Sequence, residues 1–128
     1  MSEEEIRYRL RLQEYARRLI DAESDRLKPL IGDEGAIEWI IALREALASL
    51  SWMPGRCPLA PEANRFTGVW RGARHKRFQR TPDGAAWRIL FVIEESDLEA
   101  PTVRVLAMLH ANAGPMTRAQ ARQALEEL

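Results

Sequence analysis

Two short apolar stretches, Trp87–Ile93 (WRILFVI) and Thr102–Leu109 (TVRVLAML), decide the fold of this chain. Both are rich in β-branched and aromatic residues and are bounded by turn-forming residues, which is the pattern of buried strands. The first is apolar at six of its seven positions, as expected for a central strand covered on both faces. Its one polar residue, Arg88, therefore needs a partner or a ligand. The polar segment Glu94–Pro101 returns the chain, so the two strands are predicted to pair antiparallel.

A third strand is predicted directly before this pair. Residues 73–80 (ARHKRFQR) precede Thr81–Gly84 (TPDG), in which the proline fixes φ and the glycine takes the strained turn position. Residues 73–80 should therefore form a hairpin with residues 86–93. Together with the last strand, they give a three-stranded antiparallel meander.

The N-terminal segment Ile6–Leu12 alternates apolar and basic residues with a period of two. This pattern favours a half-buried strand at a sheet edge, with its arginines facing outward. A second interpretation stays open, because Ser2–Glu5 has capping-box spacing and apolar residues recur at helical intervals after it. In that case one long helix begins at Ser2.

Helices are predicted before and after the meander along the chain. The first spans Gln13–Lys28 and is ended by Pro29, and the second runs from Asp33 to about Leu50, so that the short connection makes an antiparallel helical hairpin. After a Gly/Pro break, Thr117 and Gln120 have capping-box spacing, which predicts a terminal helix over residues 117–128.

Composition and length limit the function classes. A chain of 128 residues predicts one domain, residues 1–128, and no apolar run is long enough to span a membrane. The acidic N-terminus lacks the apolar region of a signal peptide. Cys57 is the one cysteine, which excludes an internal disulfide and is typical of a reducing cytoplasm. With two separated histidines besides, no metal site and no cofactor are predicted.

The charge is concentrated in one part of the chain. Residues 63–92 carry seven Lys/Arg and one Asp/Glu, a net charge of +6, whereas residues 1–62 and 93–128 each carry −3. A local excess of one sign is typical of proteins that bind a polyanion or an acidic protein. The alternative is a solvated basic face with no partner.

Three stretches in this β-α-α-β-β-β order resemble the RelE/ParE superfamily of type II toxin–antitoxin toxins. They are Arg56–Glu62 (RCPLAPE), residues 87–91 (WRILF) and Val103–His110 (VRVLAMLH). The resemblance covers roughly residues 6–112. It implies an α+β fold in which a helical hairpin packs on a small antiparallel sheet, with residues 117–128 as an additional helix.

The resemblance also implies an activity and partners. One branch of the superfamily enters the ribosomal A site and cleaves mRNA, and the other inhibits DNA gyrase without nuclease chemistry. Members of both branches are neutralised by an antitoxin that wraps the toxin. A cytoplasmic toxin is therefore expected, with a cognate antitoxin in a hetero-oligomer. Its target would be the ribosome and mRNA, or gyrase.

Metal-free RNA cleavage needs a base, an acid and cations that hold the phosphate. Arg88 is the candidate phosphate clamp, because a guanidinium binds phosphate in a bidentate way. Lys76 falls at the basic position that the resemblance gives for the preceding strand, and His110 is the candidate proton carrier. The candidate RNA-binding residues are Arg74, Arg77 and Arg80.

Strand alternation predicts which of these residues share a face. Arg88 should lie with Leu90 and Val92, and His110 should lie with Arg104, Leu106 and Met108. Simpler interpretations stay open: Arg88 pairs with Glu94 or Glu95, His110 binds backbone, and His75 lies at the surface.

The sequence also departs from the nuclease pattern. Leu109 stands where the superfamily often has Arg, no aromatic residue follows His110, and Trp87 replaces the usual Tyr. The helical hairpin is long, as in the gyrase branch. Ribosome-dependent mRNA cleavage is the predicted activity, and gyrase inhibition, or an inactive module that only binds an antitoxin, stays open as the alternative.

Overall fold

The computed structural model describes residues 6–81, 84–96 and 100–126. Its elements are, in chain order, β1 (Arg9–Leu12), α1 (Glu14–Ala48), α2 (Glu62–Arg65), β2 (Arg74–Gln79), β3 (Ala86–Glu94), β4 (Thr102–His110) and α3 (Arg118–Glu126). Short 3₁₀ turns occupy parts of the connections, among them Pro54–Arg56 and Gly68–Gly72. The α+β class and the order of elements agree with the prediction from sequence.

The four strands form one sheet in the order β1-β4-β3-β2. The meander is confirmed, since β3 pairs antiparallel with both β2 and β4. The Gly84 N–H donates to the Thr81 carbonyl at 3.1 Å and closes the predicted turn between β2 and β3. β1 is a strand at the sheet edge, as favoured above, and it pairs with β4 in parallel, with Arg9 opposite Thr102. The sheet is therefore mixed. Residues 2–5, on which the helical alternative rested, lie outside the described residues.

The helical hairpin consists of the two arms of α1, which meet at Gly32. This residue has φ 80° and ψ 170°, a conformation that glycine adopts without the steric cost of a Cβ atom. The first arm does not end at Pro29, as predicted, but continues through it to Gly32. Pro29 has no N–H to donate and so removes one hydrogen bond of the arm, but the chain leaves the helical conformation only at Gly32. Lys28 and Ile40 line one groove, so the two arms lie side by side.

The sheet separates two apolar clusters. The hairpin face carries the larger one, in which Trp39 of α1 makes edge contacts with Phe78 and Trp87 at ring distances of 5.9 and 5.3 Å. The opposite face, called here the C-terminal face, is covered by Trp70 and α3. Its buried members include Leu90, Val92, Leu106, Met116, Ala121 and Ala124.

A bulge in β4 changes the faces that strand alternation predicts. Leu90 pairs with Ala107 but Phe91 pairs with Val105, so Leu106 is an extra residue. It packs with Ala107 on the C-terminal face, whereas Met108 belongs to the hairpin face. The prediction that His110 shares a face with Arg104 and Leu106 is therefore wrong, because one inserted residue reverses the alternation.

Helix α3 packs on this domain through its small residues. Ala121 and Ala124 are buried on the C-terminal face, together with Met116 just before the helix. The predicted capping box is present: the Thr117 N–H donates to the Gln120 Oε1 at 2.9 Å, and the Gln120 N–H donates to the Thr117 Oγ1 at 3.1 Å. The start of α3 is thus fixed by local hydrogen bonds.

Candidate functional site

Arg88 lies in the central strand and is held by a buried carboxylate. Its Nη1 and Nη2 donate to the Oε1 and Oε2 of Glu62 at 3.1 and 2.9 Å, a bidentate pair. The side chain of Glu62 is fully buried, and that of Arg88 is 10% exposed. The expected partners, Glu94 or Glu95, are not the ones used for this pair, and Glu94 instead accepts from Arg104.

The Glu62–Arg88 pair also fixes the segment that leads into α3. Glu62 Oε2 accepts the Met116 N–H at 2.9 Å, and Arg88 Nη2 donates to the Gly114 carbonyl at 3.3 Å. Burial alone raises the pKa of the Glu62 carboxyl. The hydrogen bonds from Arg88 and Met116 outweigh burial and hold this pKa below its ordinary value. The pair is therefore ionised at neutral pH.

His75 is the residue beside this pair that sequence reasoning placed at the surface. It is half-buried on β2, and its Nδ1 lies 3.2 Å from Arg88 Nη1. A guanidinium can only donate, so Nδ1 accepts and the ring proton is on Nε2. Burial and then the charge of Arg88 lower the pKa of His75, against the opposing charge of Glu62. The imidazole is therefore neutral at pH 7.

His75 and Arg88 border a cleft, called here the basic cleft. It has a volume of about 450 Å³ and lies between the connector after the helical hairpin and the edge strand β2. Residues from both faces of β2 reach it because β2 is the edge strand of the sheet. Its charged and titratable lining comprises Arg56, His75, Lys76, Arg77 and Arg88. Since Glu62 already neutralises Arg88, three cations remain available to an anion.

His110 lies on the other face of the sheet. It is paired across strands with Trp87, and the two rings are 5.4 Å apart. Its Nε2 is 3.1 Å from the Glu23 Oε2 of the helical hairpin, which also accepts from the Trp87 Nε1 at 3.0 Å. Burial raises the pKa of Glu23, but hydrogen bonds from Arg26 and Trp87 and the charge of His110 lower it overall. The structure therefore does not bring Arg88 and His110 together.

The three arginines predicted to bind RNA have different surroundings. Arg74 donates to the Cys57 carbonyl at 2.6 Å, and Arg80 forms an exposed ion pair with Glu38 at 2.7 Å. Arg77 lies in the basic cleft and makes a 3.4 Å hydrogen bond to Gln79. Of the predicted residues, Lys76, Arg77 and Arg88 thus share one cleft.

Glu62 and His75 are the site residues that sequence reasoning missed. The one signal available was Arg88 itself, because a cation in a central strand requires a carboxylate. The sequence does not show which of the acidic residues supplies it, since Glu62 lies 26 positions away along the chain.

In residues 6–81, 84–96 and 100–126, no group of three or more His, Cys, Asp or Glu residues is placed to hold a metal ion. No helix there has the length and apolar character needed to cross a membrane.

Comparison with known proteins supports the fold. No family model matches this chain, and no curated protein does. Among solved structures, a chain of the structure titled "Chromosomal ParDE TA system from P. aeruginosa" superposes with a TM-score of 0.60 at 19% sequence identity, covering 85% of this chain and 98% of that chain. The chain shares this fold. At such low identity the likeness extends to the architecture alone, and it agrees with the α+β fold that the resemblance implied.

Proposed function

We propose that this chain is the toxin of a toxin–antitoxin pair and that it inhibits growth by binding DNA gyrase, without cutting RNA. One observation carries the choice between the two activities: Arg88 and His110 lie on opposite faces of the sheet, and each already contacts a carboxylate. A proton carrier and a phosphate clamp must reach the same phosphodiester to cleave it. The fold shared with a chain of a ParDE system supports the toxin assignment.

The helical hairpin offers a surface for a protein target. Near its turn, Leu30, Ile31, Ile37 and Ile41 are exposed, and Ile37 and Ile41 are 59% and 52% accessible. A groove of about 520 Å³ lies between the two arms and is lined in part by Ile37 and Ile41. Clusters of exposed aliphatic side chains are typical of protein-binding surfaces. In this proposal the helical hairpin contacts gyrase.

Pulse labelling after induced expression tests the target, with thymidine and methionine incorporation followed in parallel. We expect thymidine incorporation to fall first. The double variant Ile37→Ser/Ile41→Ser should lose this effect, because it removes the apolar contact while leaving the buried face of the helix intact. Ile6→Ser is the matched control, since Ile6 is also exposed but lies before β1. An early collapse of methionine incorporation would contradict the proposal.

Ribosome-dependent mRNA cleavage is the second candidate, and the basic cleft favours it. There Lys76 and Arg77 would hold RNA phosphates beside Arg88, and the neutral His75 would handle protons in place of His110. The same labelling experiment separates the two candidates. Under RNA cleavage, His75→Ala and Lys76→Gln restore methionine incorporation, and Ile37→Ser/Ile41→Ser does not. If neither label changes on expression, the chain is a binding module without toxicity.

A cognate antitoxin is the partner in either case. The net charge of +6 over residues 63–92 supports an acidic segment that folds on binding. The resemblance to toxin–antitoxin toxins implies that the antitoxin gene lies next to the gene of this chain. Titration of the purified chain with the product of that gene should produce a shift in size on gel filtration.

A further inference from the structure

A second basic depression lies on the C-terminal face, between α3 and the loop after α2. It consists of two adjoining clefts of about 440 and 420 Å³. Both are lined by Arg65, Phe66 and Thr67, so the two clefts lie next to each other on these three residues. Arg118 and Arg122 of α3 border one end, and Arg71 borders the other. This surface is called here the arginine groove, and it is separate from the basic cleft at the edge of β2.

Among the described residues that line the two clefts, four are arginines and none is a carboxylate. The four arginines come from three elements, namely α2, the Gly68–Gly72 turn and α3. Within the parts of the chain that the structure describes, none of the ion pairs involves Arg65, Arg71, Arg118 or Arg122. Like charges brought together in this way repel one another, and an anion relieves that repulsion.

The floor of the groove is apolar. Between the arginines lie Phe66, Trp70, Ala121 and Leu125. The rings of Phe66 and Trp70 meet at an angle of 60° with centroids 6.0 Å apart, and the guanidinium of Arg65 lies 6.0 Å from the Phe66 ring. Apolar contact at the centre and cations at the rim are the arrangement found in peptide-binding interfaces.

The aromatic rings are poorly placed for nucleic-acid bases. Trp70 is only 2% exposed, and Phe66 is half-buried beneath Arg65. Proteins that bind single strands offer open aromatic faces on which bases stack. An apolar side chain of a peptide can instead insert between Phe66 and Leu125, with neighbouring carboxylates on the arginines. Arginine suits carboxylates because its planar fork binds both oxygens.

The groove is also preorganised. Its α3 wall is fixed by the Thr117–Gln120 capping box and by the buried residues Met116 and Ala124. The loop on its other side follows Glu62, which is tied to Arg88 and to the Met116 N–H. Binding therefore requires little ordering of the protein, which favours affinity.

We propose that the arginine groove is a docking site for an extended acidic peptide with an apolar anchor residue. The proposal does not depend on whether gyrase or the ribosome is the cellular target. The test uses the purified full chain and a synthetic peptide. The peptide can therefore fail to bind while the proposed function stands, and the proposed function can fail while the peptide binds.

The probe is a short fluorescein-labelled peptide in which pairs of glutamates alternate with single leucines, followed by anisotropy. We expect saturable binding that weakens as salt is added, because surface charges are screened. The double variant Arg118→Gln/Arg122→Gln should weaken binding at least ~10-fold, since each lost charge-assisted hydrogen bond removes a sizeable part of the affinity. Glutamine keeps the helix propensity of arginine, so α3 should persist.

Arg44→Gln is the matched control, because Arg44 is an exposed arginine of the helical hairpin. It should bind the probe as the parent chain does. Arg65→Gln, on the opposite wall, tests the groove without altering α3 and should also weaken binding. Unchanged binding by both groove variants would overturn the proposal. So would equal binding of a probe with glutamine in place of glutamate, or tighter arginine-dependent binding of oligothymidine.

Discussion

The two faces of the sheet hold their covering elements in different ways. On the hairpin face, two helical arms bury a large aromatic cluster, and the polar group of Glu23, Trp87 and His110 lies at its margin, where the Glu23 side chain is 17% exposed. On the C-terminal face, the nine-residue helix α3 offers mainly small residues, and the Glu62–Arg88 pair holds the segment that leads into it, with the Glu62 side chain fully buried. Because α3 buries little apolar area, directed hydrogen bonds contribute more to holding this helix on the sheet.

This difference shows why an arginine or a histidine in a strand does not by itself indicate catalysis. Arg88 and His110 both contact a glutamate, but the two glutamates differ in burial. Removing only one partner of a buried ion pair leaves an uncompensated buried charge, whereas removing one partner of a more exposed pair leaves a charge that water can solvate. Two predictions test this contrast between the glutamates, and a third concerns His75, which lies beside the buried pair.

The largest effect is expected for Glu62→Ala. The substitution leaves the guanidinium of Arg88 buried without its counter-ion and the Met116 N–H without its acceptor. We expect the free energy of unfolding to fall by about 3–5 kcal/mol, measured by urea denaturation. The double variant Glu62→Leu/Arg88→Met removes both charges and should recover most of this loss. If Glu62→Ala were as stable as the parent chain, the pair would have no structural role.

A smaller effect is expected for Glu23→Ala on the hairpin face. This change removes the acceptor for the Trp87 Nε1 and the partner of His110, but water can reach the margin where they lie. The free energy of unfolding should fall by about 1–2 kcal/mol. Glu14→Ala is the control, because Glu14 is exposed and its contact with Arg17 is 3.9 Å long. A loss as large as that of Glu62→Ala would remove the contrast between the faces.

The smallest effect concerns pH and His75. Its pKa lies below the ordinary value because of burial and the charge of Arg88. The unfolded chain therefore binds a proton first as the pH falls. The contribution of His75 to stability is complete above its ordinary pKa and is lost as the pH falls through the interval down to the folded pKa. Urea denaturation of the parent chain should show a small decline in the free energy of unfolding as the pH falls below the ordinary histidine pKa of about 6.5.

The variant His75→Asn separates this contribution from other titrating groups. It should flatten the decline, because asparagine takes up no proton in this range. The carboxyls of Glu62 and Glu23 titrate below their ordinary pKa values and thus outside the interval. An unchanged pH dependence in His75→Asn would mean that the histidine is protonated equally in both states.

Much of the fold could be predicted from local pattern. Short sequence patterns predict the local backbone conformation. Examples are the continuous apolar run of β3, the alternation of β1 and the capping box of α3. The candidate site was predictable only in part. Lys76, Arg77 and Arg88 share the basic cleft. That His75 also lines this cleft and that Glu62 pairs with Arg88 were not predicted, and the bulge at Leu106 changed the faces of β4.

The sequence by itself determined the elements, their order and the need of Arg88 for a partner, because propensity, periodicity and the cost of burying a charge act over a few residues. Only the tertiary structure decided that Glu62 is this partner, that Arg88 and His110 lie on opposite faces, and that four arginines converge beside α3. These are matters of long-range packing: residues distant along the chain meet when the helical hairpin and α3 cover the two faces of one sheet.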